Sequence, residues 1–192
     1  LQALFRPLGV NVSVPSLRVN EQLQLVGDLL NTDRRSGLTL APEAARDAMR
    51  RQIGKRITND DLLEGCRKAF ENGFQRVKLY FMCGLPGERE ADIDGIIDLA
   101  EDIARIGRSV HGRAVQVVAN VSNFVPKPHT PYQWNATQSR DYFRSARERL
   151  YRRRQLRSVQ IKCHDIEASL LEAVLCRGDR RLGAAIEAAW RA

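Results

Sequence analysis

The sequence predicts an α/β fold built on parallel strands, and two features of its 192 residues carry that prediction. Short apolar, β-rich runs alternate with amphipathic helical stretches almost to the C-terminal end, and the loops between them are short. Consecutive strand-helix units joined in this way imply right-handed crossovers, which leaves two architectures: a sector of a (βα) barrel or an open doubly wound sheet. Both keep function at the carboxyl ends of the strands. With 43% apolar residues, the chain is long enough to bury one core.

Each element has its own signal. Val10 to Val14 reads as a strand ended by Pro15, and Glu21 to Leu30 as a helix with Leu23, Val26, Leu29 and Leu30 at helical spacing. Gly37 to Ala41 is a second short apolar run. Pro42 and Glu43 suit a first helical turn leading into Ala44 to Ile53, which Gly54 would stop. Thr58 followed by Asp61 predicts an N-cap for a helix from Asn59 to Glu71, ended by the left-handed-tolerant pair Asn72 and Gly73. Val77 to Met82 reads as a buried strand, and Gly84 to Gly87 as its exit turn. A helix from Glu90 to about Ile106 places Ile93, Ile96, Ile97, Ala100, Ile103 and Ile106 on one face. Another strand follows, Val115 to Val125. A proline-rich loop, Pro126 to Trp134, then precedes a charged helix to about Arg157, an apolar segment, Ser158 to Cys163, and helical stretches Ile166 to Cys176 and Arg181 to Trp190. Residues 1–134 are thus expected to form the βα unit, and residues 135–192 a basic helix with a C-terminal helical extension.

Composition narrows the classes. No apolar run reaches about 18 residues and Leu1 opens no charged leader, so neither a membrane span nor a signal peptide is expected, and the default location is cytoplasmic. Cys66, Cys83, Cys163 and Cys176 form no CxxC pair, zinc ribbon or CxxxCxxC set; free, mostly buried thiols are expected and no metal site within the chain. The net charge of +8 favours polyanionic partners or anionic cofactors. Arg140, Arg144, Arg147, Arg149, Arg152, Arg153, Arg154 and Arg157 concentrate it in one stretch, which reads as a solvated or interdomain face, or as a surface for RNA or an acidic partner.

Three segments follow apparent strands and are candidate site material. In Leu40-Ala41-Pro42-Glu43 the carboxylate stands where it would accept hydrogen bonds from a ribose or an amine, or simply satisfy a helix N-terminus. In Cys83 to Glu88 the glycines let backbone approach a flat ligand, or make a plain strand-to-helix turn; it is not a phosphate loop. Ser122 to Thr130 ends in a loop stiffened by Pro126, Pro128 and Pro131, which would aim Lys127 and His129 at the strand ends as substrate contacts, or leave them in solvent. His111 reads as an exposed loop residue. His164 and Asp165 adjoin without a nucleophile in a motif context, so a hydrolase triad is poorly supported.

Taken in order, Gly37-Leu-Thr-Leu-Ala-Pro-Glu43, Val77-Lys-Leu-Tyr-Phe-Met-Cys-Gly-Leu-Pro-Gly-Glu88 and Phe124-Val-Pro-Lys-Pro-His-Thr-Pro131 resemble the radical SAM superfamily. Within it the likeness is to uncharacterised bacterial Fe-S oxidoreductases with a cobalamin-binding-like N-terminal region, and it extends over about residues 9 to 190. The resemblance implies the later part of a parallel (βα) TIM-like partial barrel with a short helical C-terminal extension. It implies an enzyme that cleaves S-adenosylmethionine at a [4Fe-4S] cluster to generate a radical on an unknown substrate, with cobalamin a candidate further cofactor. The cluster's cysteine triplet is absent, so the cluster-binding strands would precede Leu1 in the same polypeptide, and this portion alone would be inert. By position, the resemblance sets Leu40, Pro42 and Glu43 near the ribose and methionine moieties. It offers Arg50 or Arg51, with Arg51 preferred, for the carboxylate, and sets Gly84, Leu85, Pro86 and Ser122 along the adenine. Ala45 and Arg46 depart from the small, glycine-containing turn expected after Glu43. The basic helix suggests RNA or a ribosomal protein as substrate; the rival readings are a non-enzymatic nucleic-acid-binding module and a degenerate barrel that only supports assembly.

Overall fold

The structure, a computed structural model, describes residues 37–192. The expected strand Val10 to Val14 and helix Glu21 to Leu30 lie outside the described residues. From residue 37 the order is β1 (Leu38–Glu43), α1 (Asp47–Gln52), α2 (Asn59–Glu71), β2 (Arg76–Cys83), α3 (Glu90–His111), β3 (Gln116–Asn123), α4 (Arg140–Arg153), β4 (Val159–Cys163), α5 (Ile166–Arg177) and α6 (Leu182–Arg191).

The four strands form one sheet in the order β1-β2-β3-β4, every pair parallel. Period-2 alternation decides which residues meet the helices. Leu38 and Leu40, Val77, Leu79, Phe81 and Cys83, Val117, Ala119 and Val121, and Val159 and Ile161 all enter one core. The same core takes Leu62, Cys66, Ala69 and Phe70 from α2, Ile93, Ile96, Ile97, Ala100 and Ile103 from α3, and Phe143, Ala146 and Leu150 from α4. A doubly wound sheet reverses its strand order and carries helices on both faces. Among the described residues this sheet does neither, so the fold is a sector of a parallel βα barrel, with α5 and α6 following it.

Local chemistry sets the helix limits. Thr58 and Asp61 form the reciprocal cap of α2, with Asp61 N donating to Thr58 Oγ1 at 3.1 Å and Thr58 N to Asp61 Oδ2 at 2.9 Å. The Thr58 hydroxyl, donating to Asp61 Oδ2 at 2.7 Å, and then the Thr58 N–H hold the Asp61 carboxyl below the usual range. Asn72 and then Gly73, at φ 86°, end the helix as expected.

Several expectations need correction. Pro42 and Glu43 belong to β1 instead of opening a helix, and α1 starts at Asp47. The physical reason is a register shift between Leu40 and Glu43, which keeps the chain extended through the proline. Residues 159–163, grouped by sequence with the C-terminal helices, are the fourth strand of the sheet and pair with β3 from Val117↔Val159 to Val121↔Cys163. His111 is not a loop residue: it closes α3, its ring nitrogen 2.7 Å from the Phe74 carbonyl oxygen and its ring edge-on to Phe70. All four cysteines are free thiols, and burial pushes Cys66 up to about 12.

Candidate functional site at the strand ends

The carboxyl ends of β1, β2 and β3 converge, and hydrogen bonds tie the segments that follow them. Gln52 at the end of α1 donates from Nε2 to the Pro86 carbonyl oxygen at 2.7 Å, and its own carbonyl accepts from Tyr132 Oη at 3.3 Å. Phe124 N donates to Cys83 O at 2.8 Å, and the Phe124 and Tyr132 rings meet edge to face at 5.6 Å. A small apolar cluster underlies these contacts: Ala44, Met49 and Leu85, with Ile53, Met82 and Phe124 packed on it. The three segments singled out in the sequence therefore form one rim.

At the first strand end, Leu40 and Pro42 are buried, and the Leu40 side chain belongs to the main core. Leu40 can offer a ligand only its backbone. Glu43 has φ 66°, a left-handed conformation that costs a residue with a Cβ about 1 kcal/mol or more. Its half-exposed carboxylate is steered by Lys55, whose Nζ donates to Glu43 Oε1 at 3.0 Å and to the Ala41 carbonyl at 2.5 Å.

The two arginines of α1 divide sharply. Arg50 is 0% exposed and anchors the segment: Nε donates to Ile57 O at 2.9 Å, Nη1 to Ala44 O at 3.0 Å, and Nη2 to Asp47 and Asn59. Desolvation lowers its pKa against the opposing pull of Asp47. Four of the five N–H donors of this guanidinium are used within the fold and the side chain is fully buried, so it is a structural anchor and not a ligand contact. Arg51 is exposed, and its side chain has no polar partner among the described residues.

At the second strand end, Gly84 sits at φ 95°, and a Cβ there would lie 2.8 Å from Phe143 of α4. Leu85 is buried beneath the turn and Pro86 is half-buried above it. Glu88 latches the turn from below. Its Oε2 accepts from Gly84 N at 2.6 Å, from Tyr142 Oη and from the Cys83 thiol at 3.6 Å. Desolvation raises the Glu88 pKa although these hydrogen bonds oppose it, and burial also pushes the Cys83 thiol and the Tyr142 hydroxyl up. The Glu88-Tyr142 contact, spanning 54 residues, has no local sequence signal.

Ser122 lies on the sheet face opposite the core, paired with Met82. Lys127 does not reach the rim: its Nζ pairs with Glu172 of α5 and approaches Cys176 Sγ at 3.7 Å. His129 is exposed at φ 60°, and its backbone N–H, not its ring, is engaged, by Gln133 Oε1 at 3.2 Å. Asp165 caps α5 through Ala168 N at 2.7 Å, and the His164 side chain is exposed, so that pair has a structural use.

The basic helix is partly an internal fastener. Arg149 pairs with Asp94 at 2.6 Å and Glu90 at 2.7 Å, Arg153 with Asp98 at 2.7 Å, and Arg140 with Glu167 of α5 at 2.5 Å. Arg152 and Arg157 are exposed and unpaired among the described residues. No described helix is long and apolar enough to cross a membrane. Among the described residues, no three His, Cys, Asp or Glu side chains are placed to hold a metal ion.

Residues 6–100 match the model of the Radical SAM superfamily. An uncharacterized protein of Methanocaldococcus jannaschii is 29% identical over 178 residues, which is 91% of this chain and 37% of that protein. The chain therefore spans little more than a third of the length of this curated relative. The family match begins before the described residues and runs through β1, α1, α2, β2 and the first half of α3, the elements that carry the Glu43 and Gly84 strand ends. With the sequential parallel sheet, these findings assign the matched segment, residues 6–100, to the radical SAM superfamily.

Proposed function

We propose that this chain supplies the nucleoside-facing strand ends of a cytoplasmic radical SAM iron-sulfur oxidoreductase. The observation that carries the reading is the single rim formed by Glu43, the Gly84 to Pro86 turn and the Phe124 segment, with Glu43 held in a left-handed conformation and its carboxylate steered toward Lys55. Backbone strain at a strand end persists where the surroundings over-determine it, and such positions cluster at ligand sites.

The residues fit one of the two groups the family implies. For S-adenosylmethionine, Glu43 offers an acceptor to the ribose or the amine, Arg51 a free cation to the carboxylate, and the Gly84 turn a backbone without a side chain in the way. When bound, that molecule supplies the adenosyl group that abstracts hydrogen. The protein's residues bind it, orient it and exclude water. The described residues do not fit a [4Fe-4S] cluster, since the cysteines are dispersed and two are buried. We place the three cluster thiolates in polypeptide preceding Leu1, a placement supported by the greater length of the archaeal relative.

RNA or a ribosomal component as substrate rests on Arg152, Arg157 and their neighbours. The ion pairs of Arg140, Arg149 and Arg153 reduce the cationic surface left for it. The same reduction weighs against the non-enzymatic nucleic-acid module. The test is to reconstitute the intact polypeptide with iron and sulfide and measure cluster absorbance and S-adenosylmethionine cleavage. Both are expected, and the absence of both contradicts the reading.

A further inference from the structure

The sheet face turned away from the core has a composition that the rim does not explain. Along β2 it presents Arg76, Lys78, Tyr80 and Met82, along β3 Gln116, Val118, Asn120 and Ser122, and along β4 Gln160 and Lys162. Among the described residues, no strand residue on this face below the rim is acidic, and Glu43 at its upper edge is paired with Lys55. Register groups the polar side chains: Tyr80, Asn120 and Lys162 share one rung, and Lys78, Val118 and Gln160 the next. Lys78, Gln160, Lys162 and the Tyr80 hydroxyl have no hydrogen bond or ion pair among the described residues, and Tyr80 is 40% exposed. Asn120 makes only a 3.4 Å contact to the Leu79 carbonyl.

We propose that this face binds the oxyanion group of a small anionic substrate, with Lys78 and Lys162 as its cations and Tyr80 and Asn120 as neutral donors. Only the naming of the ligand as substrate rests on the radical SAM reading; the anion site itself stands on the face's own chemistry. Neighbouring strands are about 4.8 Å apart, so β2 and β4 stand about 10 Å apart, a span that two lysine stems close around one phosphate or carboxylate. Two charged donors with no carboxylate beside them among the described residues attract an anion. The site lies below Ser122 on the same face, two residues down β3 and so about 6–7 Å deeper than the rim.

The test is differential acylation of lysines in the full chain, read by mass spectrometry, with inorganic pyrophosphate, succinate or S-adenosylmethionine as the protecting probe. Pyrophosphate or succinate should slow labelling of Lys78 and Lys162 by about tenfold, the fold expected for about 1.4 kcal/mol of binding, and leave exposed Lys68 unchanged. Protection by pyrophosphate alone assigns a phosphorylated substrate, and by succinate alone a carboxylate. Y80F should lessen the protection while leaving the unprotected labelling rates as they were. Equal labelling with and without both anions overturns the proposal, as does protection by S-adenosylmethionine alone, which would give the face to the cofactor. None of these outcomes depends on cluster assembly, so failure here is distinct from failure of S-adenosylmethionine cleavage in the intact polypeptide.

Discussion

The ends of β1 and β2 each place a glutamate at the same rim, yet the two carboxylates are held in opposite ways. Glu88 lies beneath its turn, half-buried, and its Oε2 is taken up by Gly84, Tyr142 and Cys83. Glu43 stands on the rim, half-exposed, with a strained backbone and one steering lysine. The lesson is that the Gly-Leu-Pro-Gly-Glu turn, the more motif-like of the two segments, uses its carboxylate to hold its own shape, whereas the carboxylate of the plainer Ala-Pro-Glu segment meets only Lys55 among the described residues. The anchors differ as well. The β1 side is fixed by buried Arg50 from within its own helix, and the β2 side by Tyr142 and Phe143, brought from α4.

Variants that break each anchor should sharpen this contrast. Arg50→Leu has the largest expected effect, because it removes the donor to the Ala44 and Ile57 carbonyls and to the half-buried Asp47 and Asn59 oxygens together. The expected loss is about 3–5 kcal/mol, visible as a lowered midpoint in urea unfolding. Gly84→Ala comes next: a Cβ 2.8 Å from Phe143 at positive φ should cost about 2–4 kcal/mol on the same measurement, unless α4 shifts outward.

Glu88→Gln should be milder, about 1 kcal/mol, since an amide oxygen still accepts from Gly84 and Tyr142. Its signature is in pH. The folded-state pKa of Glu88 is raised, so the folded protein binds the proton more tightly than the unfolded chain does. The stability this contributes is present below the unfolded carboxylate pKa and is lost as pH rises through the raised folded value. Thermal scans across that window should show a falling Tm in the parent chain, and a flatter profile in Glu88→Gln. Glu43→Gln should change stability least, by under about 0.5 kcal/mol, because only the exposed pair with Lys55 is lost.

Much of this arrangement is legible in the sequence, for identifiable reasons. Val77, Leu79, Phe81 and Cys83 alternate strictly with Lys78, Tyr80 and Met82, so β2 and its buried face follow from period 2. The isoleucines of α3 mark its core stripe, and Thr58 with Asp61 marks the start of α2. The fourth strand is less legible: Val159, Ile161 and Cys163 alternate with Gln160 and Lys162, but five residues after an arginine-rich helix are a short signal, and parallel pairing to β3 supplies what the sequence does not show. The register shift that carries Pro42 into β1 is a property of the pair of strands, not of either one. Arg50 and Arg51 are neighbours of one type. Only the fold, with Ile57 and Asn59 returning over α1, buries one and frees the other. Lys127 was expected at the rim because its loop is stiff, but stiffness sets no direction, and Glu172 draws it to α5.

The central claim is that Glu43, not Glu88, serves the ligand. It is tested most directly by S-adenosylmethionine affinity in the reconstituted intact polypeptide carrying each glutamine variant. Glu43→Gln should weaken binding by about tenfold or more, the loss of a charge-assisted hydrogen bond, while Glu88→Gln stays within about twofold of the parent. Unchanged affinity in Glu43→Gln, with the loss falling on Glu88→Gln, would contradict the account.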